Sequence, residues 1–374
     1  MRWLGATVVL LVFFAFPVAA EEAQTFLEQQ WDASGASSLF GLLPKETQQL
    51  FSSLGLEAWS VDSVAAMSPQ TVFSTLSDVL SSSAHVPCFA AAALLGGLLL
   101  LGLYTSFQSD DSASATVFRV VAMLAVMTPL LVPLWQTVER VRAAAESATV
   151  FTASFAPVYA AILFSQGFSL SAASYQTVLL GASQGLCALV EAAIVPLLCM
   201  SLALSIAGAM HPTHRLGETG DMLGKTAVWL LGASVTVFVG LLSFQTLITA
   251  SADSVGGRML RFSVAGAVPV VGGSLADALY TVRGCLSALR GTVGGFGVLC
   301  TALIILPTLC ECAVWSALLS VCRSVAGLFS FAPIVAAVSA AQTVFKTLIG
   351  ALASLALLMI VAVSVVSVTG GGAL

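Results

Sequence analysis

From Val86 to its end this chain returns again and again to apolar runs of about 20 residues, and such runs leave few ways to fold. Segments such as Val86–Phe107 and Ala115–Trp135 have the length that crosses a ~30 Å hydrocarbon core as a helix. No water is present there to satisfy backbone N–H and C=O groups, so each segment must close its own hydrogen bonds. The reading is an all-α, polytopic integral membrane protein. Composition agrees, with 58% of residues hydrophobic and 8% charged, against about 25% charged in soluble domains. Mean hydropathy is +1.02. The scarcity of Lys and Arg also argues against a nucleic-acid surface.

Further spans fall at Ala227–Ala250, Thr292–Ser316 and Thr347–Thr369. Gln136–Ser147 places Glu139, Arg140, Arg142 and Glu146 at helical spacing, which predicts an interfacial helix. A shorter apolar stretch holding Pro157, Thr149–Gln166, follows it. Tyr175–Met210 would be ~54 Å long as a helix, too long for one crossing. With Glu191 and Pro196 near its middle, it reads as a broken helix or a hairpin. Counting alternate crossings from an external N-terminus puts Arg140, Arg142, Arg215 and Lys225 outside, against the positive-inside rule. The hairpin alternative returns Arg215 and Lys225 to the cytoplasm, and both arrangements stay open. Phe329–Ala341 and Ala265–Leu279 are too short or too Gly-rich to assign.

The N-terminus reads as a processing signal. Arg2 is a short positive region, Leu4–Phe16 an apolar one, and Val18-Ala19-Ala20 precedes Glu21-Glu22 with small residues. This predicts a cleavable signal peptide over residues 1–20 and a mature start outside the cytoplasm. Residues 21–85, with eight acidic residues and one basic, Lys45, read as a short extracytoplasmic helical region. Leu50, Phe51, Leu54 and Leu56 follow a Pro44 turn at near-helical spacing. Ser68 and Pro69 supply an N-cap and a first helical position ahead of Val72, Phe73, Leu76, Val79 and Leu80. A region of about 65 residues buries only a thin core. It is expected to pack on a partner or on the polytopic domain, residues 86–374.

The stretch "GETGDMLGKT" (Gly217–Thr226) imitates a nucleotide loop. A strict G-x-x-x-x-G-K-[ST] pattern needs glycine where Thr219 stands, and Gly220 comes one residue late. A P-loop also follows a β-strand in a soluble domain, whereas a membrane segment ending at Met210 precedes this one. Residues 211–226 are expected to be a polar loop. No cofactor and no metal are expected. The eight cysteines lie scattered in apolar sequence as small hydrophobes. Cys310-Glu311-Cys312 would point its thiols about 200° apart on a helix, which does not suit one ion. His85, His211 and His214 fall at membrane boundaries as solvated residues, and no nucleophile–base set or carboxylate pair emerges.

Two features stand out. The first is a repeat: "SFAPVYAAILFSQ" (Ser154–Gln166) and "SFAPIVAAVSAAQ" (Ser330–Gln342) lie 176 residues apart, as do Thr116-Val117 and Thr292-Val293. The pattern fits two related helical units, an architecture common in transporters. The second is the run Val235–Gly297. It carries Thr236-Val237-Phe238-x-Gly240, Ser243-x-Gln245, Asp253 with Arg258 and Arg261-Phe262, Pro269-Val270-Val271-Gly272-Gly273, Asp277-Ala278, Thr281-Val282 and Gly284-Cys285. In this ordered set the sequence resembles the stage III sporulation protein AE family of endospore-forming bacteria. Ser254 departs from its pattern, where Gly would follow the Asp.

That resemblance implies a non-enzymatic membrane component of the channel, or secretion-like complex, joining mother cell and forespore. It implies a place in the mother-cell membrane surrounding the forespore. Other stage III sporulation A-operon proteins, including a cytoplasmic ATPase, would be its partners beside the lipid bilayer. The residues themselves add less. Arg258 and Arg261, at i and i+3, share a helix face suited to lipid phosphates. Pro269 with Gly272 and Gly273 suggests a bend, and Asp277 falls on an amphipathic stretch, so 251–290 is expected to be re-entrant or interfacial. Glu191 and Glu311 are the carboxylates set deepest in apolar sequence. Such groups face a bundle interior or a wet cavity, which keeps a second class open, a stand-alone secondary transporter.

Overall fold

The computed structural model describes residues 36–56, 69–107, 113–210, 216–267, 272–329 and 331–371, with the side chains of 36–37, 69, 105–107, 113–120, 123, 209–210, 246–247, 250–285 and 367–371 outside that set. The expected signal peptide therefore lies outside the described residues. Among those residues every element is helical: α1 (Ala36–Phe40), α2 (Lys45–Ser53), α3 (Pro69–Phe107), α4 (Ala113–Ser165) and α5 (Ser169–Leu189). A π-helical turn, Val190–Ile194, leads into α6 (Val195–Met210), followed by α7 (Leu216–Ala267), α8 (Gly272–Leu328) and α9 (Ala332–Gly371). Among the described residues six stretches are long and apolar enough to cross a membrane: Gln70–Tyr104, Leu124–Ser165, Ser169–Gly208, Leu216–Gln245, Leu286–Leu328 and Ala332–Val366. The chain is a multi-pass α-helical membrane protein.

Several expected breaks are absent because the sequence signals for them are weaker in a bundle than in water. The interfacial helix at Gln136–Ser147 is instead the middle of α4, which runs unbroken through Pro129, Pro133 and Pro157. Prolines are tolerated in membrane helices where neighbouring helices and Ser/Thr side chains re-satisfy freed backbone groups. Tyr175–Met210 is not a hairpin; its two halves continue in one direction through the π turn. Pro196 lies just beyond that turn. It donates no hydrogen bond and its ring crowds the Ala192 carbonyl, so a wider turn there relieves the clash. The 85/86 boundary is not a break either, since α3 crosses it with Pro87 inside.

The expected polar loop over 211–226 is also corrected, because Leu216 already opens α7. Its glycines have a packing role. A Cβ on Gly220 would lie 2.8 Å from the Ser201 carbonyl oxygen, and one on Gly224 would lie 3.0 Å from Ser201 Oγ. Ser201 Oγ donates to the Gly220 carbonyl at 2.6 Å. Small residues four apart let α6 and α7 approach closely, as in other membrane helix pairs. Lys225 projects outward into a shallow groove with Glu218, Met222, Thr226 and Trp229. Lys225→Ala is expected to leave membrane abundance and spore formation unchanged, as exposed substitutions usually do. Nucleotide photo-crosslinking to Lys225 would contradict this.

The interior is one continuous core reaching from Leu39 to Val366. Gly294 and Gly297 carry α8 between α4 and α9, so close that a Cβ on Gly297 would lie 2.4 Å from the Phe155 ring and 2.7 Å from Met359 Cε. Trp315 of α8 stacks on Phe345 of α9 at 5.2 Å. The two repeat-like segments differ locally: Pro157 is mid-helix in α4, whereas Pro333 is in the first turn of α9. Their final glutamines both bond to α8. Gln166 Nε2 donates to the Leu286 carbonyl at 2.7 Å, and Gln342 Nε2 to that of Ser316 at 3.1 Å.

The piece ahead of α3 is part of the same core. Leu39, Leu43, Phe51, Leu54 and Leu56 are all buried in it. Pro44 starts α2, and Gly55, at φ +75°, closes it: the Gly55 N–H donates to Ser52 and the Leu56 N–H to Phe51. Only glycine takes that left-handed conformation without strain. Burying each of these leucines or the phenylalanine contributes about 1.5–3 kcal/mol.

Candidate functional site

A belt of polar and charged side chains lies along the middle of α4, from the buried Thr137 to the exposed Glu139, Arg140 and Glu146. Thr137, Glu139, Arg140, Arg142, Glu146 and Thr149 fall within about 18 Å along this helix. An apolar bundle makes such groups costly unless they find partners, so what each one meets decides what the belt can do.

At one end of the belt α8 brings in Glu311, buried with 7% of its surface exposed. Thr137 Oγ1 donates to Glu311 Oε1 at 2.7 Å. Arg140 Nη2 donates to the same oxygen and pairs with it as an ion. The Thr137 hydroxyl accepts from Arg140 at 3.3 Å, and its single proton points between Glu311 and the Pro133 carbonyl, 3.0 Å away. The arginine side chain remains 45% exposed, so this pair sits at the edge of the core with its guanidinium turned outward. Glu311 is thus tied to a neighbouring helix by two directed bonds.

At the other end of the belt Glu191 behaves differently. It is half-buried in the π turn, and among the described residues no hydrogen bond or ion pair holds its carboxylate. Cys187, one turn earlier, lies against Thr149 and within electrostatic range of Glu191, Glu146 and Arg142. Arg142 gives one nitrogen to Glu139 at 3.4 Å, while its buried Nε has no partner. π turns concentrate at functional positions because the widened helix leaves backbone carbonyls poorly matched to donors. A carboxylate without a partner in that setting is available to a proton, a cation or water.

The other residues singled out from sequence sit elsewhere. Asp253, Arg258 and Arg261 lie on the C-terminal part of α7, and Gly272, Gly273 and Asp277 open α8. Pro269 lies outside the described residues. Together they gather at the α7–α8 connection, on helix extensions continuous with the flanking spans. Asp277 is about 50 Å along α8 from Glu311, so the two groups do not form one site. Among the described residues no three His, Cys, Asp or Glu side chains come together as a metal site.

A buried polar contact and an aromatic stack complete the interior of α4. Arg290, 4% exposed, donates to Gln166 Oε1 at 3.3 Å. Phe151, Phe155 and Tyr159 stack along α4. Their i, i+4 spacing is legible in the sequence, but a partner 124 residues away is not.

The fold and its polar belt define a class: a polytopic all-α membrane protein whose bundle holds an interhelical ion pair and a half-buried carboxylate, Glu191, with no hydrogen-bond or ion-pair partner among the described residues. The chain belongs to the stage III sporulation protein AE family, whose model matches residues 64–370. It is similar to the Stage III sporulation protein AE of Bacillus subtilis (strain 168), with 27% identity over 213 residues, 55% of this chain and 53% of that one. The match thus spans about half of that relative's length. No solved structure matches. Membership gives the chain a role in sporulation.

Proposed function

We propose that this chain is a non-enzymatic subunit of the channel or secretion-like complex between mother cell and forespore. Its place is the mother-cell membrane that surrounds the forespore. Its partners are other stage III sporulation A-operon proteins, among them a cytoplasmic ATPase that supplies the nucleotide chemistry. Glu191 lines a polar path in the assembled complex, and Asp253, Arg258, Arg261, Pro269, Gly272, Gly273 and Asp277 form a contact region at the α7–α8 connection. Family membership supports the sporulation setting. The observation that supports a working carboxylate is the contrast between Glu311, held by Thr137 and Arg140, and Glu191, held by nothing described.

Glu191→Gln keeps the shape and removes the charge. It is expected to keep membrane abundance at or above that of the unaltered chain, because a charge within the bilayer is destabilising. Spore formation should nevertheless fall by about tenfold or more if that charge is used within the membrane. Immunoblots of membranes and counts of heat-resistant spores measure the two. Normal sporulation would remove Glu191 from the path. Co-purification with A-operon partners tests the assembly separately; a chain recovered alone and binding a small molecule would favour a stand-alone transporter.

A further inference from the structure

Helix α3 changes character partway along. From Val86 to Phe107 it carries no charged residue, and its outward face there shows Val86, Phe89, Leu99, Leu100 and Leu103. At 1.5 Å per residue that stretch rises about 33 Å, enough for a ~30 Å hydrocarbon core. Ahead of it Ser74, Ser77, Asp78, Ser81, Ser82 and His85 are exposed. Phe73, Leu76 and Leu80 share that earlier stretch, yet an ionisable group facing lipid is costly, so water must reach Asp78 and His85. Helix α4 changes in the same way. It has no charged residue from Val121 to Gln136 and exposes Leu124, Leu131, Val132 and Trp135, whereas Glu139, Arg140 and Glu146 are exposed within the next three turns.

Bonds to α8 set these two changes at one height. Ser83 Oγ donates to the Pro307 carbonyl at 3.4 Å, and one turn further along α8 Glu311 accepts from Thr137 and Arg140. The α1–α2 hairpin lies on the polar side of that height. Phe51 packs on Phe296, about 22 Å along α8 from Glu311 towards the helix start, and Lys45 and Glu46 of the hairpin are exposed. Arg140 stands at the boundary itself. Its described bonds, to Glu311 and Thr137, both leave from Nη2, and the side chain is 45% exposed. Nη1 and Nε carry no described bond and can serve an outside acceptor. Trp135, 53% exposed, lies about 8 Å away along α4 on the apolar side. Tryptophan and arginine in that order mark the level of lipid headgroups, and a planar guanidinium fork suits phosphate.

We propose that a membrane surface meets the α3–α4 side of the bundle at the height of the Glu311–Arg140 pair, and that the Arg140 guanidinium binds a phospholipid headgroup phosphate there. On this side residues 86–107 and 121–135 lie in hydrocarbon, and the polar part of α3 lies in water with the α1–α2 hairpin. Glu311 and Thr137 position the arginine: they hold one edge of its fork so that the other faces the headgroups. The site does not depend on the channel reading, because lipid surrounds the chain whatever it assembles with.

Depth is tested with the full chain in phosphatidylcholine vesicles whose acyl chains carry bromine at different depths. Tryptophan fluorescence of the unaltered chain minus that of Trp135→Phe isolates position 135. Quenching there is expected to be strongest with bromine nearest the headgroup. Strongest quenching from bromine near the acyl ends, or none at any depth, overturns the proposal. Phosphate binding is tested by comparing Glu311→Gln with Glu311→Gln plus Arg140→Gln. Neither leaves a buried charge without its partner, and the two chains differ at Arg140 alone. Phosphatidylglycerol, titrated onto each chain in detergent and counted by native mass spectrometry, is expected to bind the second about tenfold more weakly. Equal affinity would show that Arg140 holds no phosphate. Inorganic phosphate should leave the lipid bound; if it displaces the lipid, the site takes free phosphate and the headgroup assignment fails.

Discussion

Gly297→Val is expected to remove the folded chain from membranes almost completely. The added Cβ alone would fall 2.4 Å from Phe155 and 2.7 Å from the end of Met359. Met359 is a flexible tip and can move. Phe155 cannot, because it is fully buried between the rings of Phe151 and Tyr159. Relief therefore requires α8 to back away from α4, which also loosens Gly294, itself 2.6 Å from Val363 by the same measure. Overpacking a core costs about 1–3 kcal/mol when neighbours can adjust, and more when they cannot. Against a total stability of about 5–15 kcal/mol that is a large fraction. Gly291→Ala is the control. Nothing lies within 4 Å of its added Cβ, so helix propensity should make it about 0.8–1 kcal/mol more stable. Membrane abundance and unfolding in detergent measure both. A Gly297→Val chain as abundant as the unaltered one would show that the crossing is looser than described.

The second large effect is expected at Arg140. Arg140→Ala leaves the Glu311 carboxylate buried with Thr137 as its remaining described partner. Stripping one partner from a buried pair costs about 3–5 kcal/mol. The guanidinium here is nearly half exposed, so screening lowers the expectation to about 1–3 kcal/mol. Glu311→Gln should be milder, at about 1 kcal/mol, since an amide oxygen still accepts from Thr137 and Arg140. The double change Arg140→Ala with Glu311→Ala should recover part of the loss, because no buried charge remains. Unfolding midpoints of the unaltered chain, Arg140→Ala, Glu311→Ala and the double change form the cycle. If the double change equals the sum of the singles, the two side chains do not depend on each other.

How much of this was legible follows from the range of each signal. Hydrophobic run length identified a helical membrane protein, because it needs no long-range information. Pro69 opens α3, as a proline at a first helical position does, while Ser68, the expected N-cap, lies outside the described residues. Pro196 flagged a disturbance next to Glu191, and the structure resolves it as a π turn rather than a reversal. The charges of 136–147 suggested a separate interfacial helix, yet α4 passes straight through them. Helix–helix contact supplies what the isolated segment lacks. Gly220 and Gly224 looked like a damaged phosphate loop because glycine spacing alone does not say whether a phosphate or a serine-lined helix approaches it. The ion pair of Arg140 with Glu311 was not legible at all. It joins positions 171 residues apart, and one sequence carries no record of which helices end up side by side.

The lengths of α4, α7 and α8 have a consequence for reach. At 53, 52 and 57 residues, they are rods of about 80, 78 and 86 Å. A bilayer with its headgroups is about 40–45 Å thick. Even at a tilt of about 40° an 80 Å rod rises some 60 Å along the membrane normal, so part of each must stand clear of the lipid. The molecule is therefore a mast as well as a span. The far tips are joined to the spans by continuous helix rather than by loop, so their distance from the bilayer follows from helix length.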